Sequence, residues 1–531
     1  MRPKKVGLQM LGHFFTQKIK GNIFQIRINR TVCKLFLICL VWHVALFSEE
    51  NSLPKEEVDV KQIEKASEPQ LTKDTKSNEE SQLQPRSYGT KRLKTPPDYA
   101  KKLSDVNQDL FKDLDWMLVG LDNRVRYEYR ENDFRRKDER IDRPFLLRTR
   151  AFVSLKDKFD PFRFTIEMED AQILQSLYEA DNREVNRAEP IQAYLELYWN
   201  QWGYFKSQPL SLKAGRMAFE LVDRRLVAVN EWRNTTNTFQ GTRATWGQES
   251  NLWNLDLFYL IPLQRNLTKI DEVEKKTEFT GSVFTINFLE KYIQVQAYYL
   301  GLMVSELSET EFDRNNRLRI RTSRPGKRIH TSGLRFFGLI GDTGFDYDIN
   351  WVEQSGTNDI AKGIDHKARS IILDVGYTWQ HSSKPRLGIL HAQVSGDENP
   401  NDQVNQRLDR LYGFARPWST SDYITMENVR ASKLVLEFIP FKNSKIDTAF
   451  NRYLLQSPRD RWERANLRDT EGSSGTHIGD EWNFRWITKV QNRLTINLGY
   501  AYFKPGEFTI NQTSRVDPSH FVYLEISTIF L

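Results

Sequence analysis

From Asp115 to the C-terminus, apolar and polar side chains alternate residue by residue, in segment after segment. In 123–130, Val125, Tyr127 and Tyr129 take one phase, and Arg124, Arg126, Glu128 and Arg130 take the other. Phe162, Phe164, Ile166 and Met168 oppose Arg163, Thr165, Glu167 and Glu169. Ile191, Ala193, Leu195, Leu197 and Trp199 oppose Gln192, Tyr194, Glu196 and Tyr198. Phe345, Tyr347, Ile349 and Trp351 oppose Asp346, Asp348 and Asn350, while Leu494, Ile496, Leu498, Tyr500 and Tyr502 alternate with Arg493, Thr495, Asn497 and Gly499. Period two with aromatic and β-branched residues specifies strands, not helices.

A soluble β-sandwich also alternates, because one face of each sheet meets water. Two features point instead to a membrane barrel. The pattern recurs over the whole region with little helical interruption, and its polar face is dense in charge, which a water-filled lumen tolerates and a packed core does not. Aromatic residues make up 12% of the chain, with 13 Trp, although the mean hydropathy is −0.61. Aromatic girdles on a barrel reconcile the two values. Repeated apolar runs of roughly 20 residues are missing, which excludes a multispan helical protein. The last segment, with Val522, Leu524, Ile526, Thr528 and Phe530 in one phase, resembles the closing strand of an outer-membrane barrel, although Leu531 follows the terminal aromatic. The expectation is an all-β fold over 113–531: a closed antiparallel transmembrane β-barrel of about 18 strands (16–18), at one strand and turn per roughly 20–25 residues. The polar stretches 306–330, 396–425 and 456–480 are expected to be extracellular loops or lumen plugs.

The N-terminal 48 residues read as a signal peptide: a basic stretch, an apolar core over 35–47, then Glu49 and Glu50. The alternatives are a retained anchor, for which the core is short, and a lipoprotein box at Cys39, where Ile38 is too bulky. Both cysteines, Cys33 and Cys39, fall in this leader, so the mature chain would carry none into an oxidising periplasm. Residues 49–112 are rich in Lys, Glu, Ser and Gln, and are read as a polar, disordered periplasmic segment or a short coiled coil. Eight basic and no acidic residues precede residue 49, against a formal net charge of +7 for the chain, so the remainder stands at −1. Global basicity therefore offers no case for nucleic-acid binding; any preference for anions must come from where the arginines sit.

Three local patterns exceed generic barrel texture. The first runs from Leu212-Lys213-Ala214-Gly215-Arg216 through Asp223-Arg224-Arg225, Glu231-Trp232-Arg233-Asn234-Thr235 and Phe239-Gln240-Gly241-Thr242-Arg243. The second is Ser395-Gly396-Asp397-Glu398-Asn399-Pro400. The third is Gly479-Asp480-Glu481-Trp482 followed by Gly499-Tyr500-Ala501-Tyr502-Phe503-Lys504-Pro505-Gly506. In order and spacing this set resembles the alginate export family of outer-membrane proteins, over roughly 121–530. The resemblance implies an 18-stranded monomeric barrel in the outer membrane of a Gram-negative bacterium, with an electropositive constriction that passes a polyuronate. The leader and polar segment fall outside it.

The physical chemistry of such a lumen can be stated independently. Each uronate sugar carries a carboxylate, and the guanidinium fork binds carboxylate bidentately while staying charged. Rings of Arg or Lys make pores anion-selective. The candidates for polymer binding are Arg124, Arg126, Arg148, Arg150, Arg163, Lys213, Arg216, Arg225, Arg233 and Arg243. For each, the alternative is a structural salt bridge with a lumen acid such as Glu128, Glu167 or Glu196. The cluster Arg314–Arg328, with Arg317, Arg319, Arg321, Arg324 and Lys327, forms a basic stretch suited to an extracellular loop on lipopolysaccharide phosphates or to folding into the lumen. The expected partners are an anionic polysaccharide or sugar acids, lipopolysaccharide and outer-membrane lipid, and a periplasmic export scaffold, with no nucleic acid. No cofactor is expected; Asp397, Glu398 and Asp402 suggest at most a loop Ca²⁺, without the full EF-hand spacing. The sequence shows no Gly-x-Ser-x-Gly, metal-binding His pair or phosphate loop, so no catalytic residue is nominated. An uptake porin for small anionic sugars and a non-conducting adhesion barrel remain the rival readings.

Overall fold

The computed structural model describes residues 94–530 apart from 203–207, 275, 290, 313–317, 415 and 492, and leaves the side chains of 307–323 undescribed. The expected leader, and the polar segment as far as residue 93, lie outside the described residues. Eighteen long strands run antiparallel. They are β1 (Met117–Glu131), β2 (Phe145–Leu155), β3 (Phe162–Leu174), β4 (Asn186–Trp199), β5 (Leu210–Met217), β6 (Phe239–Trp246), β7 (Trp253–Gln264), β8 (Thr277–Asn287), β9 (Gln294–Val304), β10 (Lys327–Leu339), β11 (Phe345–Asp359), β12 (Ile364–Thr378), β13 (Arg386–Val394), β14 (Val429–Phe441), β15 (Ser444–Leu454), β16 (His477–Val490), β17 (Leu494–Pro505) and β18 (Ser519–Ile529). Each pairs with the next, and β18 pairs back onto β1 with Ile529 opposite Asp122 and His520 opposite Glu131. The ladder is closed, so no backbone edge is left to satisfy in lipid.

Burial follows the sequence alternation. In β1 every second residue from Leu118 to Arg130 is buried, and those between them are half-buried. The outward phase is apolar and uncovered: Leu195 is 66% exposed and Ile389 62%, a contiguous surface that water would not tolerate. β4 shows how register overrides simple alternation. Register shifts between Glu167 and Met168, and between Glu169 and Ala171, turn Ile191 to the buried side, while Leu195 stays outward.

The two ends differ. Tight turns at 156–161, 247–252, 288–293, 340–344, 442–443 and 491–493 close one end, and the long connections 132–144, 218–238, 305–326, 395–428 and 455–476 leave the other. Only 360–363 is short at the long-loop end among the described connections. Aromatic pairs ring the short-turn end: Trp116 with Phe159 at 5.1 Å, Trp246 with Trp253 at 5.1 Å, and Phe345 with Tyr377 at 4.7 Å. Such a girdle marks a membrane–water boundary. Inside, Tyr523 lies over Gly499 and Tyr298 over Gly333, each a cross-strand pair where a Cβ would overlap the ring.

The interior is not the uniformly charged, water-filled lumen that the alternation suggests. On β7–β13, beside the ion pairs Arg335–Asp348 and Arg386–Asp346, many inward residues are apolar, among them Phe258, Leu260, Phe279, Leu300, Ile329, Val352, Ile372 and Val394. They pack on apolar residues of the long loops, including Leu221, Val227, Leu408, Trp418, Tyr423 and Trp462. The loops 218–238, 395–428 and 455–476 thus fold inward as a plug that shares one hydrophobic core with the wall. β1–β4 present the opposite character, with Arg124, Arg126, Glu128, Arg130, Arg148, Arg150, Glu167 and Glu169 all buried.

The described end of the polar segment is folded rather than disordered. Ala100–Lys102 pairs with 118–120 just beyond the end of β18, and two short helical turns, Leu103–Val106 and Gln108–Phe111, lead into β1. Tyr99 is buried against Leu118 and Phe152, and its hydroxyl donates to Glu167. One aromatic side chain and a three-residue strand anchor a stretch whose composition alone argues against order.

Candidate functional site in the lumen

The charged wall and the inward loop 218–238 meet along β1 and β2. Arg124 and Arg148 face each other across the ladder. Arg124 donates through Nη1 to the Glu231 carbonyl at 2.7 Å, and through Nη2 to the Arg233 carbonyl at 2.8 Å. Arg126 donates to Glu128 and to the Trp232 carbonyl, both at 2.7 Å. Arg148 and Arg150 share the Glu231 carboxylate at 3.1 and 2.7 Å, and Arg150 also holds Glu169 at 2.9 Å. Strand guanidinium groups therefore bind the loop by its carbonyls and by one carboxylate. With three arginines beside it, the Glu231 carboxyl is held well below the usual carboxylate range despite the opposing effect of burial.

Between this wall and the plug lies a cavity lined by Arg126, Arg130, Arg135, Arg136, Arg183, Arg233 and Arg464, seven guanidinium groups against the four carboxylates of Glu128, Asp181, Glu184 and Asp422. Several are paired: Arg126 and Arg130 with Glu128, Arg135 with Asp133 at 2.7 Å, and Arg183 with Asp181. Arg464 lies against Asp422. Arg233 differs. Like Arg136 it forms no ion pair within 4.0 Å among the described residues, but its Nε also lacks a hydrogen-bond partner, and its charged neighbours are Arg410, Arg265 and Arg183 against the one carboxylate of Asp181. Burial first, and those cations next, push its pKa down. Trp232 forms one side of the cavity, with the guanidinium carbons of Arg126 and Arg416 at 3.9 and 3.5 Å from its ring centroid, a cation–π arrangement.

The structure separates the ten candidates. Arg124, Arg126, Arg148, Arg150 and Arg233 converge on the 231–234 turn of the loop. Arg225 lies in that loop rather than on a strand, paired with Asp223 at 2.7 Å. Lys213 pairs with Glu196 at 3.8 Å, and Arg243 donates to Asp256 at 2.9 Å, on another part of the wall. Arg216, three residues from Lys213, stands in the opposite phase at the long-loop end of β5, held by Glu189 and the Asp271 carbonyl. Arg163 sits beside the 156–161 turn, bound to Asp160 at 2.6 Å and stacked on Tyr198 at 3.6 Å. Of the expected counter-charges, Glu128 and Glu196 bind cations, whereas Glu167 takes Tyr99 and Gln192 instead.

Arg130, Arg135, Arg136, Arg183 and Arg464 were not among the candidates. All but Arg130 lie in connections, where alternation carries no information; the density of Arg in 135–143 marks Arg135 and Arg136, and no such signal marks Arg183. In the basic stretch, Arg317 lies outside the described residues, and Arg319 and Arg321 fall on the strand Leu318–Arg324. Arg324 pairs with Glu274, and Lys327 with Asp409 at 2.5 Å. Around the suggested calcium loop, the Asp397 amide donates to Asp460 and Asp402 accepts from the Val404 amide, both at 2.9 Å. Among the described residues no three His, Cys, Asp or Glu side chains gather to hold a metal.

A closed 18-stranded barrel with a lipid-facing apolar band, an aromatic girdle and inward-folded loops defines an outer-membrane channel of the porin class. The chain belongs to the alginate export family, whose model matches residues 115–523. A search of curated protein sequences gives no match. Among solved structures, the chain is similar to OccAB2 of Acinetobacter baumannii, with a TM-score of 0.50 and 13% identity over 78% of this chain and 98% of that one. It is also similar to OpdQ of Pseudomonas aeruginosa, with a TM-score of 0.49 and 12% identity over 80% and 99% of the two chains.

Proposed function

We propose that the barrel passes an anionic polysaccharide, a polyuronate such as alginate, outward across the outer membrane along the arginine-rich side of its lumen. The supporting observation is the cavity at Trp232, where guanidinium groups outnumber carboxylates and Arg233, among more cations than carboxylates, closes no ion pair within 4.0 Å among the described residues. A uronate carboxylate supplies the missing charge, forming charge-assisted hydrogen bonds with Arg233 and its neighbours. Arg124, Arg126, Arg148 and Arg150 act differently: they bind the loop and fix its position. Most cavity arginines keep a carboxylate partner, so each grip on the polymer is a competition. That weakness is what transport requires, because a chain held tightly at any one point would stall.

The test is conductance in planar bilayers with a salt gradient, followed by addition of polyuronate. A reversal potential on the anion side and concentration-dependent block by polyuronate are expected. Cation selectivity, or block by neutral polysaccharide at equal concentration, overturns the proposal. Anion selectivity with block only by monomeric sugar acids would instead identify an uptake porin.

A further inference from the structure

The outer wall carries a feature that transport does not use. On β12 the outward residues, read from the short-turn end, are Tyr377, Val375, Leu373, Ile371, Arg369 and Lys367: one aromatic, three aliphatics, then two cations. The next strands continue the order. Arg430 on β14 stands opposite Gln393 of β13, and Arg452 on β15 stands opposite Ser432 of β14. Below them Ile389, Leu434, Leu436 and Phe450 point outward and are exposed. At about 4.8 Å per strand, the cations from β12 to β15 span roughly 15 Å of wall. They lie near the long-loop end, which is the extracellular end of an outer-membrane barrel.

Inside the barrel almost every arginine of the charged wall has a carboxylate. On this outer wall Lys367, Arg369 and Arg430 form no ion pair within 4.0 Å among the described residues, while Arg452 holds Asp480 at 2.8 Å. Glu353 stands opposite Arg369 in the ladder without closing a salt bridge, and Asp365 follows Lys367 toward the loops. A row of cations directly above an uncovered aliphatic strip matches an amphiphile that carries phosphates above several acyl chains. We propose that the outer wall of β12–β15 is a docking surface for a phosphorylated glycolipid of the outer leaflet. The phosphates lie on Lys367, Arg369 and Arg430, and the acyl chains on Ile371, Ile389 and Leu434. This reading is independent of the polymer proposal, since none of these side chains faces the lumen.

The experiment measures binding of bisphosphoryl lipid A to the purified full chain in detergent by native mass spectrometry. Dephosphorylated lipid A and inorganic phosphate serve as the other two probes. Each cation at a membrane surface contributes about a five-fold factor, so the combined K367S/R369S/R430S variant should bind on the order of a hundredfold more weakly. R187Q, which removes an outward cation on β4 already paired with Asp170, should bind as the parent does. Retained binding by the triple variant, or equal binding of dephosphorylated lipid A, overturns the proposal. So does displacement of the lipid by an equal concentration of inorganic phosphate, which marks a plain anion site. Should the triple variant lose the heat-modifiable migration of a folded barrel, R430S alone is read against the same five-fold expectation, and unchanged binding is decisive against it.

Discussion

Replacing Arg233 by Ser separates a ligand-binding arginine from a structural one, because the two roles predict opposite signs. The guanidinium has Arg410, Arg265 and Arg183 around it against the one carboxylate of Asp181, and it closes no ion pair within 4.0 Å among the described residues. Removing it therefore relieves repulsion instead of breaking a bridge. The folded barrel should be as stable as the parent or up to about 1 kcal/mol more stable, where loss of a buried ion-pair partner costs about 3–5 kcal/mol. Polyuronate binding moves the other way. A hydrogen bond to a charged group is worth about 1.5–3 kcal/mol, and solvent in the lumen lowers this to about 1–2 kcal/mol. Half-block by polyuronate should then need about 5- to 30-fold more polymer at an ionic strength near 0.1 M. The difference should shrink toward 1 M salt, where the screening length falls from about 10 Å to about 3 Å. Single-channel block titrations at the two salt concentrations, with urea unfolding of the same preparation, give both readouts, and R233K should recover part of the block. A Ser variant that unfolds more easily while its block constant moves less than two-fold would refute the reasoning.

Glu231→Gln should have the converse signature: Arg148 and Arg150 lose their shared counter-charge, so urea stability falls by about 3 kcal/mol, while anion selectivity from reversal potentials rises. Unchanged stability would contradict the role given to Glu231. Burial pushes the carboxyl of Glu427, in the 395–428 plug, from 4.5 up to about 7. Because the folded-state value is raised, its contribution is whole below the ordinary pKa, declines as pH rises toward about 7 and is absent above it. Protease resistance of the plug should therefore be greater at pH 5 than at pH 8, and E427Q should flatten the profile; equal pH dependence in both proteins would rule out Glu427 as the source. Tyr99→Phe strips Glu167 of a buried donor, at a cost of about 1–3 kcal/mol. Limited proteolysis near residue 100 should accelerate, and an unaltered cleavage rate would show that the strand pairing alone anchors this segment.

Much of this architecture is legible in one dimension because a strand has a period of two and a closed barrel gives each phase a single fate. The phases of Val125, Tyr127 and Tyr129 against Arg124, Arg126 and Glu128 already say which residues meet lipid. The alternation, the aromatic load and the ordered motifs were sufficient for a barrel of 16–18 strands and for its family. The inward placement of Arg124, Arg126, Arg148 and Arg150 follows from the same rule. It stops at the connections. Arg225 and Arg233 carry no alternation that shows they ride on a loop folded into the lumen. Arg135, Arg136, Arg183 and Arg464 come together only because separate loops converge on one wall. Nor can alternation distinguish a lumen filled with water from one whose β7–β13 side packs on a plug, since either accepts Leu, Val or Phe at an inward position. Sequence alone determined the surface that meets the membrane, a local property of each strand. Tertiary structure decided which arginines close an ion pair and which do not, because that depends on residues more than a hundred positions apart meeting inside a closed wall.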